Sequence, residues 1–313
     1  MAVREKKSTG SNRYSSTGLF NFEPDSYLER TSRPFYSLVY LIPFIIIYEI
    51  GTVYFNTDHL RQSLRVVSFV WLKEFLEWAG FGSRVAFIAA PLAVIIILLA
   101  LQITSRTNWR INFRDFIPMT GECAMLAIPL IVLSLLLNRP APPNASQIWD
   151  CDGKVITAAA KVKAPAQKYQ AVGIDQLPPA PQTAVKKANP LAANIITGIG
   201  AGIYEELVFR LVLITLFMLL FHDVFGLTLN SALVIAVLLS AGLFSAHHHL
   251  IFINGHFSTT VAFTWTAFIF RTIAGVYFAG LFAIRGFGIT AGTHAFYDII
   301  AAIMNFFLFP ANS

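Results

Sequence analysis

Cysteine and charge are what this sequence has least of. Two cysteines, Cys123 and Cys151, occur among 313 residues, so no disulfide framework and no cysteine-built zinc site are expected. Charged residues make up 13% of the chain, about half the share of an ordinary soluble domain, while 56% are hydrophobic. A water-soluble protein of this length could not hide that much apolar surface in one core, which excludes a plain globular enzyme. There is no repeat of fixed period and no compact HExxH zinc signature. The basic N-terminus is not followed by a short apolar run with a small-residue cleavage site, so no removable signal peptide is expected. The net charge of +6 gathers outside the apolar stretches. That argues against nucleic acid as a partner and for loops flanking membrane spans.

What the chain has in quantity is long apolar runs, and they predict an all-α, polytopic helical membrane protein with 7–8 transmembrane helices. Residues 1–35 form a polar, basic N-terminal segment. Region 36–138 holds the N-terminal spans, at about 36–55, 86–104 and 122–138, the last short for a crossing. Four more runs follow, at 191–221, 229–252, 260–284 and 288–309. Each is read as a helix, because backbone polar groups in lipid must be satisfied within their own segment. Residues 64–81 carry Lys73, Glu74 and Glu77 and either lie at the interface or form an eighth span. Seven spans divide the basic loop residues almost evenly between the two sides, and eight gather most of them on one side, so eight is the favoured count. A pairing of Lys73 with Glu77, one turn apart, is expected. Residues 139–190 are rich in Pro, Ala and Lys and read as a loop.

Ionisable groups inside apolar spans are expensive, which makes them the first candidates for function. Three clusters qualify. Glu205 and Glu206 precede Arg210. Glu206 and Arg210 stand at i and i+4 and can pair along one helix, leaving Glu205, about 100° around the helix, free for another task. Phe244 leads to three consecutive histidines, His247, His248 and His249. These point in different directions, so one or two can face a common site, and His249 suits a water interface. His294 and Asp298, again at i and i+4, share a face near the start of the last span. Glu49 is expected to reach toward the interface, and Arg271 needs a partner that the sequence does not name. His59, His222 and His256 read as loop histidines, and Trp71, Trp78 and Trp109 as interface anchors.

These clusters resemble the three motifs of the CAAX prenyl endopeptidase and bacteriocin-processing family (CPBP or Abi): EExxxR, FxxxH, and HxxxN or HxxxD. The matching residues are Glu205, Glu206 and Arg210, then Phe244 and His248, then His294 and Asp298. The resemblance spans 191–309 and implies that this region is a catalytic transmembrane domain of an intramembrane endopeptidase. It implies that Glu205 activates a water and His248 holds and polarises it. His294 and position 298 would stabilise the oxyanion, with Glu206 and Arg210 in support. Family members often carry asparagine where this chain has Asp298. An ionised aspartate cannot donate a hydrogen bond, so Asp298 is expected to be protonated, to orient His294, or to bind a metal. No cofactor is the favoured expectation. The alternative is zinc held by Glu205, His248, His294 and Asp298, all acceptable ligand types.

The implied partners are the bilayer and a protein or peptide substrate, lipidated or membrane-bound. The implied location is a multi-pass protein of a bacterial cytoplasmic membrane. A proton- or ion-coupled transporter and a non-catalytic scaffold or immunity protein are the rival readings. Geometry is the discriminator. In a simple up-and-down bundle His248 and His294 would differ in depth by about 15 Å. Catalysis requires their rings within about 8 Å of each other, converging on Glu205.

Overall fold

The structure, a computed structural model, describes residues 22–56, 65–137, 190–253, 256–259 and 263–308. The 139–190 loop lies outside the described residues except for its last position, as do Asn144, Cys151 and His59. Within the described residues the chain is essentially all helical. Its helices are α1 (Tyr27–Ser32), α2 (Pro34–Asn56), α3 (Val67–Trp78), α4 (Ser83–Ser105) and α5 (Phe116–Leu137). Next comes α6 (Pro190–Glu206), running through the π-helical turn Leu207–Leu213 into α7 (Ile214–Met218) and a second π turn, Leu219–Val224. The chain ends with α8 (Leu229–His247), a small antiparallel hairpin of β1 (Leu250–Ile253) and β2 (His256–Thr259), and α9 (Trp265–Leu308).

Six helical stretches are long and apolar enough to cross a membrane, by length and composition, among the described residues. Their packing inverts the soluble pattern. In α4 the buried positions are Ala86, Ala90, Val94, Leu98 and Gln102, one per turn, while Ile88, Ile96 and Ile103 face outward. In α8 the buried row begins Ala232, Ala236, Ser240 and Phe244, while Val234 and Leu238 are exposed. Small residues on the inner face let helix backbones approach, and the large aliphatic side chains are left for lipid.

Several expectations change at this level. The third span begins at Phe116, so it is 22 residues long and no longer short. The N-terminal polar segment contains α1. The run at 229–252 is helical only to His247 and then turns into β1. The favoured eighth span fails: α3 has 12 residues, about 18 Å, against a hydrocarbon core of about 30 Å. Arg65, just before α3, has a structural task. It is not a loop charge seeking one side of the membrane. It is buried on Glu49 at 2.8 Å and stacked over Phe69 and Phe87. Glu49, expected at the interface, is instead held by Arg65 and by the Tyr204 hydroxyl. The Lys73–Glu77 pair forms, at 2.9 Å, and its hydrogen bond holds the Glu77 carboxyl below its usual range.

The two last apolar runs belong to one continuous 44-residue element broken at Gly286 (φ 74°, ψ −178°). The break reverses the chain. Phe278 and His294, sixteen residues apart and so about 24 Å apart on a straight helix, stack at 4.6 Å. Each arm of α9, 265–285 and 287–308, is by itself long enough for a crossing, so counting the arms separately gives seven membrane-length stretches among the described residues. Only glycine tolerates this backbone without strain, and a Cβ at Gly286 would sit 2.8 Å from the Ser32 carbonyl oxygen. The same corner is tied down by Arg285. Its guanidinium donates to both Glu122 carboxylate oxygens, to the Thr31 and Ser32 hydroxyls and to the Leu28 carbonyl. Burial, with a hydrogen bond to Glu122, pushes the Tyr27 phenol in α1 well above its ordinary value.

The main core joins α2, α6 and the second arm of α9, through Tyr48, Ile203, Tyr204, Ile289 and Ala291. A Cβ at Gly202 would lie 2.6 Å from the Ala291 carbonyl oxygen, so glycine there lets α6 lie directly on α9. That contact brings the Glu205–Glu206 pair against the His294–Asp298 pair.

Candidate active site

Four elements deliver the candidate residues. Glu205 and Glu206 close α6 immediately before its π turn, and Arg210 lies within that turn. A π turn widens the helix by one residue and is found disproportionately at functional positions. His247 and His248 end α8, and His294 and Asp298 lie in the second arm of α9.

Glu206 and Arg210 pair as the spacing anticipated, Nε to Oε2 at 3.0 Å, both almost wholly buried. The ion pair is close but not aligned as a hydrogen bond. The guanidinium also lies 4.2 Å from the centre of the Phe244 ring and 5.4 Å from that of Phe278. This gives the motif phenylalanine a concrete task, covering a buried cation with a π face. The other Glu206 oxygen accepts a hydrogen bond from His294 Nδ1 at 2.7 Å. His294 is therefore fixed with Nδ1–H on Glu206 and Nε2 turned toward Glu205 Oε2 (3.9 Å) and Asp298 Oδ2 (3.6 Å). Phe278 stacks on the ring and holds its plane.

Glu205 is the centre of the cluster. His248 Nε2 lies 4.0 Å from the same oxygen that faces His294, and His247 Nε2 lies 3.5 Å from the other. His248 and His294, expected at different depths in a simple bundle, thus converge on one carboxylate oxygen. That oxygen, Glu205 Oε2, is buried and has no hydrogen-bond partner among the described residues. The gaps of 3.9–4.0 Å around it are too long for direct hydrogen bonds and leave it available to a small polar guest.

His247 is the residue that the sequence pattern did not single out. It is buried among Trp71, Phe209 and Phe244, and its ring centre lies 4.0 Å from that of His248. Its neighbours His248 and His249 hid it, because helical periodicity alone does not say which of three consecutive histidines turn inward. The two inward rings emerge only because α8 ends there, and both Nδ1 atoms donate to the same Phe244 carbonyl. His249, expected at water, is buried beside Arg271, whose Nη1 lies 3.3 Å from its Nε2; this is the partner that the sequence did not name for Arg271. Trp71, expected as an interface anchor, packs over Phe209 and His247, whereas Trp78 and Trp109 are exposed.

The zinc-type donor set also regroups. Among the described residues, the ligand atoms that lie within 4.8 Å of one another belong to Glu205, His247 and His248. His294 and Asp298, the other two members of the expected set, fall outside that group.

Fold and site together define a polytopic helical membrane protein with a buried carboxylate–imidazole cluster at its centre. Residues 187–300, which contain every motif residue, match the family model described as type II CAAX prenyl endopeptidase Rce1-like. No curated protein and no solved structure matches the chain. The match covers 114 of the 313 residues and supports a relation to the CAAX protease (CPBP) family, which is a family of membrane proteases.

Proposed function

We propose that the protein is an intramembrane endopeptidase in which Glu205 activates a water against a peptide bond presented at the membrane face. The observation that carries this is Glu205 Oε2, buried between the Nε2 atoms of His248 and His294 with no hydrogen-bond partner among the described residues. A water there donates one proton to Glu205 and the other to His248 Nε2, which is the acceptor nitrogen of that ring because Nδ1 carries the proton on the Phe244 carbonyl. As the water oxygen adds to the carbonyl carbon, its proton passes to Glu205, and the carbonyl oxygen becomes an oxyanion. With Nδ1–H committed to Glu206, His294 donates to that oxyanion from a protonated Nε2, and the Asp298 carboxyl, 3.6 Å away, supports the charged ring electrostatically. Collapse of the tetrahedral intermediate breaks the C–N bond, and Glu205 returns its proton to the leaving amine. Arg210 neutralises Glu206 so that the pair of adjacent carboxylates can coexist in a dry site.

His248 and Asp298 are the partly exposed members of the set, with 29% and 28% of their side chains accessible against 5–8% for Glu205, His247 and His294. Access at the α8 end, where α3 and the hairpin also lie, fits a substrate entering from one membrane face. The reading takes 191–309 as the catalytic unit and 36–138 as the helices that support it. The substrate is a membrane-held polypeptide, lipidated or not, and the insertion-light chain suits a bacterial cytoplasmic membrane.

The test is proteomic. The full chain in nanodiscs is incubated with a membrane-protein preparation and with a prenylated CAAX peptide, and new peptide termini are read by mass spectrometry against Glu205→Gln. New termini seen with the wild type and lost in the variant support the reading. Identical termini in both, with a folded variant, reject it, and coupled ion flux across vesicles of matched lipid composition would instead favour a transporter.

A further inference from the structure

We propose that the pocket formed by Glu205, His247 and His248 binds one divalent transition-metal cation of the zinc class and that this cation shuts the site. Binding follows from the donor chemistry. His247 and His248 both direct Nδ1 at the Phe244 carbonyl oxygen, at 2.5 and 2.9 Å. A carbonyl only accepts, so both nitrogens carry the proton and both neutral rings turn an Nε2 lone pair toward Glu205. Two imidazole lone pairs and a carboxylate therefore converge, their ligand atoms within 4.8 Å of one another. The two shared Nδ1–H bonds also fix ring orientation, as hydrogen bonds to the far nitrogen of metal-bound histidines do.

A second observation points to a guest. Glu205 Oε2 is buried without a hydrogen-bond partner among the described residues, whereas both Glu206 oxygens are engaged, one by the His294 hydrogen bond and the other, itself without a hydrogen bond, by the Arg210 ion pair at 3.0 Å. Two imidazoles and a carboxylate with one open position suit zinc, and nickel or copper bind the same donor set. Metal ligands at about 2.0–2.1 Å stand a little over ~3 Å apart, so side-chain rotations of about an ångström close the site. The partly exposed His248 ring provides the way in. His247 is what makes this site, since Glu205 and His248 alone would leave two donors.

Closure of the site rests on the reading of Glu205 as the base. A cation on that carboxylate takes the electron pair that would accept the water's proton and fills the space of the water itself. Binding does not depend on that reading, so the experiment separates the two. The full chain, purified in detergent with any affinity tag removed and stripped with EDTA, is titrated with zinc alone. Retained metal is counted after desalting, and its ligands are read by X-ray absorption. One equivalent per chain with two imidazoles in the zinc shell is expected, together with at least a tenfold loss of affinity in His247→Gln and no change in His249→Gln. No retained zinc, a shell with fewer than two imidazoles, or an unchanged affinity in His247→Gln overturns the site. If His247→Gln fails to fold, the wild-type shell and Glu205→Gln carry the decision. In the hydrolysis assay, activity falls in step with occupancy and returns with chelator; activity that stays level or rises with zinc overturns the shutting role. A metal-free protein that cleaves nothing rejects the peptidase reading and leaves the binding result standing.

Discussion

Two buried clusters in this protein use the same residue types to opposite ends. At the α9 corner, Arg285 is almost wholly buried and every part of its guanidinium meets an acceptor: both Glu122 oxygens, two hydroxyls and a carbonyl. At the centre, Glu205 is equally buried, but one of its oxygens has no hydrogen bond among the described residues and three imidazoles stand off at 3.5–4.0 Å. The first cluster is saturated and can only hold. The second keeps unused bonding capacity in a dry place, which is the condition for binding a water, a proton or an ion. Ionisable residues within apolar helices thus divide by what is left unsatisfied, not by burial or charge.

This contrast can be broken at either end. Glu205→Gln should lower hydrolysis by about 10²–10⁴-fold while leaving the thermal midpoint in detergent near that of the wild type, since the amide is isosteric. A variant that cleaves normally, or that unfolds, puts Glu205 on the saturated side of the comparison. Arg285→Met should do the reverse. Leaving Glu122 without its partner costs about 3–5 kcal/mol of stability, read as a lower unfolding midpoint, with the folded fraction retaining its turnover. A turnover defect in fully folded Arg285→Met would show the corner to be part of the chemistry.

Gly286→Ala tests the link between the two clusters. The positive-φ, extended-ψ backbone at Gly286, essentially reserved for glycine, costs roughly 1–3 kcal/mol for alanine, before the contact with the Ser32 carbonyl is relieved. Its expected effect combines a moderate loss of stability with a loss of turnover, as His294 moves relative to Glu205. Lys73→Ala, on the partly exposed pair of α3, is the smallest change and should leave both midpoint and turnover within error.

The motif residues are legible in the sequence because polar groups in an apolar run have few innocent explanations. Glu206 with Arg210, and His294 with Asp298, are also legible as pairs, since i and i+4 share a helix face whatever the fold. His247 is not. Its role depends on where α8 stops and on Trp71 arriving from a helix more than 170 positions earlier in the chain. The setting of Arg65 is not legible either, because Glu49, Phe69 and Phe87 enclose it only in the folded chain.

Composition and local spacing, then, determined that the chain fills a membrane with helices and which ionisable residues are too costly to be incidental, because hydropathy and helical periodicity are properties of short stretches. Tertiary structure alone decided that the last two spans fold back at Gly286, that His248 and His294 meet at one oxygen of Glu205, and that His247 joins them. Those outcomes depend on backbone reversal and close helix packing between distant segments, and a one-dimensional pattern carries no record of which faces will meet.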